Sequence, residues 1–144
     1  MASSPTRIFY VDDDPDDRDL FEHAVHTLDR GVLLFSLGEE MLASIQNPPP
    51  APSIIFMDLN MPTMTGEELL TAIRSNAIFD QVPIVILSTA RDPKTIDRCW
   101  QNGADLYVTK FVDLKMFARA IKTIVEFDWK NRTRARNEFL FTMA

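Results

Sequence analysis

Ile54-Ile55-Phe56-Met57 runs without a polar break into Asp58, and the turn that begins with Leu59-Asn60-Met61-Pro62 ends at Gly66. Apolar residues in a continuous run, with no polar alternation, mark a strand buried on both faces, as in a parallel sheet. Asp58 falls where that strand leaves the core, at the carboxyl edge where open α/β sheets hold their ligands. A carboxylate there is unfavourable unless a partner offsets its burial. Asp58 is therefore the first candidate for a reactive centre.

The same signature recurs along the chain. Ile8-Phe9-Tyr10-Val11 ends in Asp12-Asp13-Asp14-Pro15-Asp16-Asp17, and Val32 to Phe35 make a second run. Pro83 opens Ile84-Val85-Ile86-Leu87, which exits into Ser88-Thr89-Ala90-Arg91, and Leu106-Tyr107-Val108-Thr109 leaves at Lys110. Between these runs the apolar spacing is helical. Leu20, Phe21, Ala24, Val25 and Leu28 follow Pro15; a short helix over Glu39 to Ile45 is closed by a stiff proline-rich loop; a third covers Gly66 to Arg74. The fourth starts at Asp92-Pro93, runs through Ile96, Cys99 and Trp100, and is closed by Gly103. The last carries Met116, Phe117, Ala120, Ile121, Ile124 and Val125 on one face, with Trp129 continuing it. Five strand–helix pairs predict an α/β fold: a five-stranded parallel sheet with helices on both faces, doubly wound and flavodoxin-like.

A chain of 144 residues is long enough to bury one core. Its formal net charge of −6 argues against a general nucleic-acid binder, so no DNA partner is expected. The single Cys99 excludes an internal disulfide, and no apolar run reaches membrane-spanning length. Residues 1–7 contain no signal-peptide core, which makes the cytoplasm the expected compartment. The strand–helix pattern assigns 1–129 to one domain and 130–144 to a tail. In that tail Lys130, Arg132, Arg134 and Arg136 form a basic patch ahead of Phe139-Leu140-Phe141. It reads as a solvated extension of the last helix, or as a docking or dimerisation segment, since an apolar triplet prefers burial. The oligomeric state stays open, a homodimer included.

In a parallel sheet, Asp12, Asp13, Asp58 and Lys110 come to one edge, with the Ser88 hydroxyl beside them. Two carboxylates ~4 Å apart at an effective dielectric of ~20 repel by about 4 kcal/mol. A hard divalent cation relieves that repulsion, and with few protein ligands it keeps its waters, which suits Mg²⁺. Asp13 and Asp58 are the expected direct ligands, with Asp12 acting through water. Beside a phosphoryl donor, the Asp58 carboxylate is placed to attack phosphorus and form an aspartyl phosphate. Lys110 and the metal then neutralise the transferring oxygens, and Ser88 donates to one of them.

This constellation resembles the receiver domain of two-component response regulators, over nearly the whole chain to about Trp129. The matching residues are Val11-Asp12-Asp13, Asp58-Leu59-Asn60-Met61-Pro62 with Gly66, Pro83 with Ser88, and Tyr107 with Lys110. The resemblance implies that Asp58 is the phosphoacceptor, and that Asp12, Asp13 and the backbone carbonyl of Asn60 complete a Mg²⁺ site. It casts Ser88 as a switch hydroxyl and Tyr107 as the switch aromatic, whose coupled movement remodels the face made by the fourth helix, fifth strand and fifth helix. The implied partners are a histidine kinase or phosphotransfer protein and a downstream protein. The roughly fifteen residues after the last helix are too few for a DNA-binding output domain, so output is expected through protein–protein contact. Two positions depart from the family pattern. Phe111 follows Lys110 where the family usually has a proline in a cis peptide, and Thr89 follows Ser88 where alanine or glycine is usual.

Other acids and rings have plainer explanations. Asp14, Asp16 and Asp17 sit where acids complement a helix N-terminus. Tyr107 is either switch or strand packing. His23 and His26 read as surface residues, and Trp100 and Trp129 as helix packing. Two further functions compete: a phosphorylation-independent pseudo-receiver that acts as a binding module, or a hydrolase or flavin carrier on the same topology. An Asp-based phosphatase would carry a second acid where Asn60 stands, and a flavin phosphate would be repelled by the acidic loop after the first strand.

Overall fold

Every apolar run becomes a strand, and every helically spaced stretch a helix, in the computed structural model of the protein, which describes residues 7–28, 30–110 and 113–142. In chain order these are β1 (Arg7–Val11), α1 (Pro15–Val25), β2 (Gly31–Phe35), α2 (Gly38–Gln46), β3 (Ile54–Met57), α3 (Gly66–Arg74), β4 (Ile84–Ser88), α4 (Pro93–Gln101), β5 (Leu106–Thr109) and α5 (Leu114–Val125). The strands lie in the order β2-β1-β3-β4-β5, and every pair is parallel. This is the flavodoxin-like arrangement that the sequence predicts.

Strand residues alternate between two apolar layers. Phe9, Ile55, Met57, Ile84, Ile86 and Tyr107 face α2, α3 and α4. Ile8, Tyr10, Ile54, Phe56, Val85, Leu87, Leu106 and Val108 face α1 and α5. With both faces covered, polar groups are left only at strand ends. Helix starts are fixed locally: Asp14 caps α1 ahead of Pro15, Asp92 caps α4 ahead of Pro93, and Thr65 and Glu68 form a capping box on α3. Gly103 closes α4 at φ +100°, its N–H bonding to the Trp100 carbonyl and that of Ala104 to the Cys99 carbonyl. This paired closure needs a left-handed residue, which glycine supplies without strain. Cys99, on the inner face of α4, is fully buried, and burial pushes its thiol up to about 12.

The end of the chain differs from its sequence pattern. α5 stops at Val125, and Trp129 does not prolong it. The Trp129 indole N–H turns back to the Ile124 carbonyl at 2.9 Å, a second donor on an acceptor that the Phe127 N–H already reaches at 3.2 Å. The tail is not a solvated helical extension either: among the described residues beyond Trp129, only Arg136–Glu138 form a single 3₁₀ turn. The segment lies along the free edge of β5, where Leu140 bridges Tyr107 in parallel. The apolar triplet drives this docking, because Phe139 is completely buried in the α2/α3/α4 layer.

Candidate functional site

The pairing of the central strands assembles the site. Val11 stands opposite both Phe35 and Met57, and the ladder runs one step further on each side. The Asp12 N–H donates to the Phe35 carbonyl at 3.1 Å and the Asp58 N–H to the Val11 carbonyl at 3.0 Å. Asp12 and Asp58 therefore leave neighbouring strands at one level, on the face that carries Tyr10 and Phe56. Ligand oxygens of Asp12, Asp13 and Asp58 all lie within 4.8 Å of one another. Asp12 and Asp58 are buried, while Asp13 opens to solvent.

Lys110, carried by the end of β5 on the same face, answers this charge. Its Nζ lies 2.9 Å from Asp12, 2.8 Å from Asp17 and 3.3 Å from Asp58. Burial opposes the ammonium, but hydrogen bonds to Asp17 and Asp12 and the charges of Asp58 and Asp12 outweigh it and raise the pKa. For Asp58 burial dominates and the Asp12 charge adds to it, against the pull of Lys110, so its carboxyl rises to about 6. One cation thus holds a group of acids that still carries excess negative charge. Lys110→Ala is expected to push the Asp58 carboxyl higher still and to destabilise the metal-free protein by about 3 kcal/mol. The same change should tighten divalent-cation binding, because a competing positive charge is gone. Titration calorimetry with Mg²⁺ and urea unfolding in chelator check both, and weaker metal binding in the variant would contradict this account.

The loop from Asp58 to α3 is held by backbone. The Gly66 N–H donates to the Leu59 carbonyl at 2.9 Å. Thr63 sits at φ 62°, a left-handed conformation rare for a β-branched residue, with its hydroxyl on Glu39 and on the Pro62 carbonyl. Asn60 is exposed on this loop, two residues after Asp58.

Ser88 reaches the same edge on the other face of the sheet, in line with Ile84 and Ile86. It is fully buried, and its Oγ accepts from the Ala90 N–H at 3.1 Å. Tyr107, also fully buried, donates its hydroxyl to the Ala90 carbonyl at 2.7 Å. Burial raises that phenol, and the adjoining Ser88 hydroxyl works the other way. Thr89 is exposed. Phe111, whose peptide with Lys110 is the other departure, lies outside the described residues.

Asp12, Asp13, Asp58 and Lys110 thus meet, while Ser88 and Tyr107 form a second, adjoining pair. Three further residues belong to the first group. The Tyr10 hydroxyl donates to Asp12 Oδ2, and burial, then the Asp12 charge, keeps it protonated. Arg18 Nη1 donates to the Asp12 carbonyl at 2.7 Å. Asp17, expected only to complement the dipole of α1, is also a direct partner of Lys110. Period-two alternation already sets Tyr10 and Asp12 on one face. Nothing local announces Asp17, which meets Lys110 just past the end of β5, or Arg18, which turns back to the Asp12 carbonyl. His23 and His26 are exposed, as expected, with ring centroids 5.8 Å apart.

A doubly wound parallel sheet with acids from two central strands and a lysine from a third, all at its carboxyl edge, defines an α/β domain with an acidic edge suited to a cation and an anionic group beside it. The response regulator receiver domain model matches residues 8–122, and the chain belongs to that family. It is thus a phosphoacceptor of two-component signalling rather than a classical enzyme, and a histidine kinase is implied as its partner. It is 26% identical over 133 residues to Response regulator Rcp1 of Synechocystis, covering 88% of this chain and 90% of Rcp1. It is 30% identical over 109 residues to Two-component response regulator ORR11 of rice, covering 76% and 74%. Among solved structures, the phosphorylated cyanobacterial phytochrome response regulator RcpA superposes with TM-score 0.80 at 28% identity, over 90% of this chain and 98% of RcpA. The Mn²⁺-bound form of Rcp1 gives 0.78 at 25% identity, over 91% and 99%. No helix among the described residues is long and apolar enough to cross a membrane.

Proposed function

We propose that Asp58 accepts a phosphoryl group from a histidine kinase or phosphotransfer protein in a Mg²⁺-dependent reaction, and that the chain signals by protein–protein contact from the cytoplasm. The observation that carries this reading is the meeting of Asp12, Asp13 and Asp58 oxygens within 4.8 Å, with the Lys110 ammonium 3.3 Å from Asp58. An all-oxygen, acidic, partly solvated set suits a hard divalent cation that keeps part of its water shell. Asp13 and Asp58 would bind it directly, with the backbone carbonyl of Asn60. Asp12 already accepts from Tyr10, Lys110 and the Asp14 N–H, so it acts as an oriented outer acid, through water. When bound, the metal supplies positive charge to the phosphoryl oxygens.

The chain's own residues do the rest. An Asp58 oxygen forms the new bond to phosphorus, the bond from phosphorus to the donor's nitrogen or oxygen breaks, and the donor leaves with the electron pair. No general base is needed, because the ionised carboxylate is already the nucleophile. Lys110 stands ready to neutralise one phosphoryl oxygen, held in place by Asp12 and Asp17, while the Tyr10 hydroxyl fixes Asp12. Ser88 would donate to another oxygen, with Tyr107 following it as switch aromatic. Residues 1–129 would form the receiver unit and 130–144 an accessory segment.

Incubation with Mg²⁺ and acetyl phosphate should add one phosphoryl mass. An unchanged mass in protein that has bound the metal would overturn the reading in favour of a pseudo-receiver. Thr89, exposed directly after Ser88, adds bulk where the family usually has a small residue. Thr89→Ala is expected to shorten the lifetime of the phosphorylated protein, and an unchanged lifetime would remove Thr89 from this role.

A further inference from the structure

The tail is more than a packed terminus, because it binds the backbone of the candidate switch residue on both sides. The Tyr107 N–H donates to the Phe139 carbonyl at 2.8 Å, and the Phe141 N–H donates to the Tyr107 carbonyl at 2.9 Å. Tyr107 therefore has a strand partner on the edge of β5 that would otherwise be open. Phe139 lies 6.2 Å from the Tyr107 ring and 5.3 Å from that of Trp100, centroid to centroid. The approach is clamped at its start. The Arg134 guanidinium lies 3.7 Å from the Trp100 ring centroid and donates to the Ala104 and Trp100 carbonyls, and Arg136 pairs with Asp97 of α4 at 2.6 Å.

A relay of contacts leads from this segment to the phosphoacceptor edge. Tyr107 is fixed by the tail, its hydroxyl holds the Ala90 carbonyl, and the Ala90 N–H holds Ser88 Oγ. Turning the Tyr107 ring outward would break its hydroxyl bond and open a void beside Phe139. A docked tail therefore disfavours the outward position.

We propose that residues 134–141 act as an in-cis strap that holds Tyr107 inward before any phosphoryl group arrives, and that strap docking and phosphorylation of Asp58 favour one another. This rests on the reading of Asp58 as phosphoacceptor. Linkage makes the coupling reciprocal: a strap that favours the inward Tyr107 and the placed Ser88 assists phosphorylation, and phosphorylation tightens the strap.

The chain holds only two tyrosines, Tyr10 and Tyr107, so 3-fluorotyrosine labelling gives two ¹⁹F resonances, assigned by loss of one in Tyr107→Phe. In the full chain without donor, the Tyr107 resonance should show no solvent isotope shift between water and D₂O. It should acquire one in a chain truncated after Thr133. It should also do so in Phe141→Pro, which removes the Phe141 N–H donor together with the ring that packs on Phe127, and leaves Phe139 in place. In both variants the equilibrium affinity for beryllofluoride with Mg²⁺, a non-covalent mimic of the phosphoryl group, should fall about fivefold or more, the lower end of ordinary coupling between sites. An unmoved Tyr107 resonance in a variant with a normal circular-dichroism melt overturns the strap. A moved resonance with an unchanged beryllofluoride affinity overturns the coupling. If the truncated chain does not fold, Phe141→Pro decides. If no variant or wild-type chain takes up phosphate, the Asp58 reading fails, and the ¹⁹F signal still decides whether the strap holds Tyr107.

Discussion

Asp58→Asn is expected to abolish uptake of a phosphoryl group from acetyl phosphate and Mg²⁺ at every pH, and to make the metal-free protein more stable above about pH 6. The first effect follows from losing the nucleophilic carboxylate. The second follows from burial, which lifts the Asp58 carboxyl from 3.8 to about 6 in the folded state. Between those values the folded protein keeps a proton that the unfolded chain has released. Unfolding therefore releases protons there, and stability falls as pH rises through this window. Above it, the buried charge leaves the native state destabilised by roughly 2–3 kcal/mol. An amide of the same shape carries no such charge, so the variant should match the wild type near pH 4 and exceed it at pH 8. Urea unfolding in chelator at the two pH values measures this, and intact-mass analysis measures the phosphoryl. Phosphorylation surviving in Asp58→Asn would move the nucleophile elsewhere. Equal stability at pH 8 would deny that burial is what perturbs Asp58.

Gly66→Ala should be the most damaging small substitution near the site, for reasons of space. A Cβ at Gly66 would stand 2.2 Å from the Asp58 carbonyl oxygen and 2.7 Å from the Leu59 Cα. Both neighbours are backbone, so no side chain can swing away. The first turn of α3 must lift, or the Asp58–Leu59 peptide must move. A loss of about 3 kcal/mol in folding stability is expected, in the upper range for overpacking. Because the displaced peptide carries Asp58, Mg²⁺ affinity should also fall about tenfold or more, as when a ligand's supporting contacts are removed. The affinity arm separates this from simple destabilisation: a folded Gly66→Ala with wild-type Mg²⁺ binding would show that the loop absorbs the methyl without moving the site.

The sequence carried most of the architecture because double-sided burial leaves few choices. Ile54–Met57 and Gly66–Arg74 fall on the residues that the apolar runs and helical spacing indicate. The charged core of the site was equally legible, since a polar residue directly after a buried strand has only the sheet edge to occupy. What escaped depends on closure between distant elements. Asp17 has the local signature of a helix-start acid and still makes a contact of 2.8 Å to Lys110, ninety-three positions away. Ser88 and Tyr107 were assigned to one relay by resemblance; their shared link through the two polar groups of Ala90 needs coordinates. At the C-terminus, Trp129 keeps the helical period of the residues before it, so spacing alone carries the helix too far. The backbone tightens after Val125 instead, with the Phe127 N–H and the Trp129 indole both on the Ile124 carbonyl. The preference of the apolar triplet for burial could be read from composition, but its berth on β5 could not.

The chain's lone thiol gains a use from its position. Cys99 points from the inner face of α4 into the layer that also holds Phe139, and is held protonated by that enclosure. In the resting fold it is deaf to alkylating reagents and mild oxidants, so any labelling counts only the moments when this flank of the molecule comes ajar. The protein thereby carries its own clock for local opening, readable without an introduced probe.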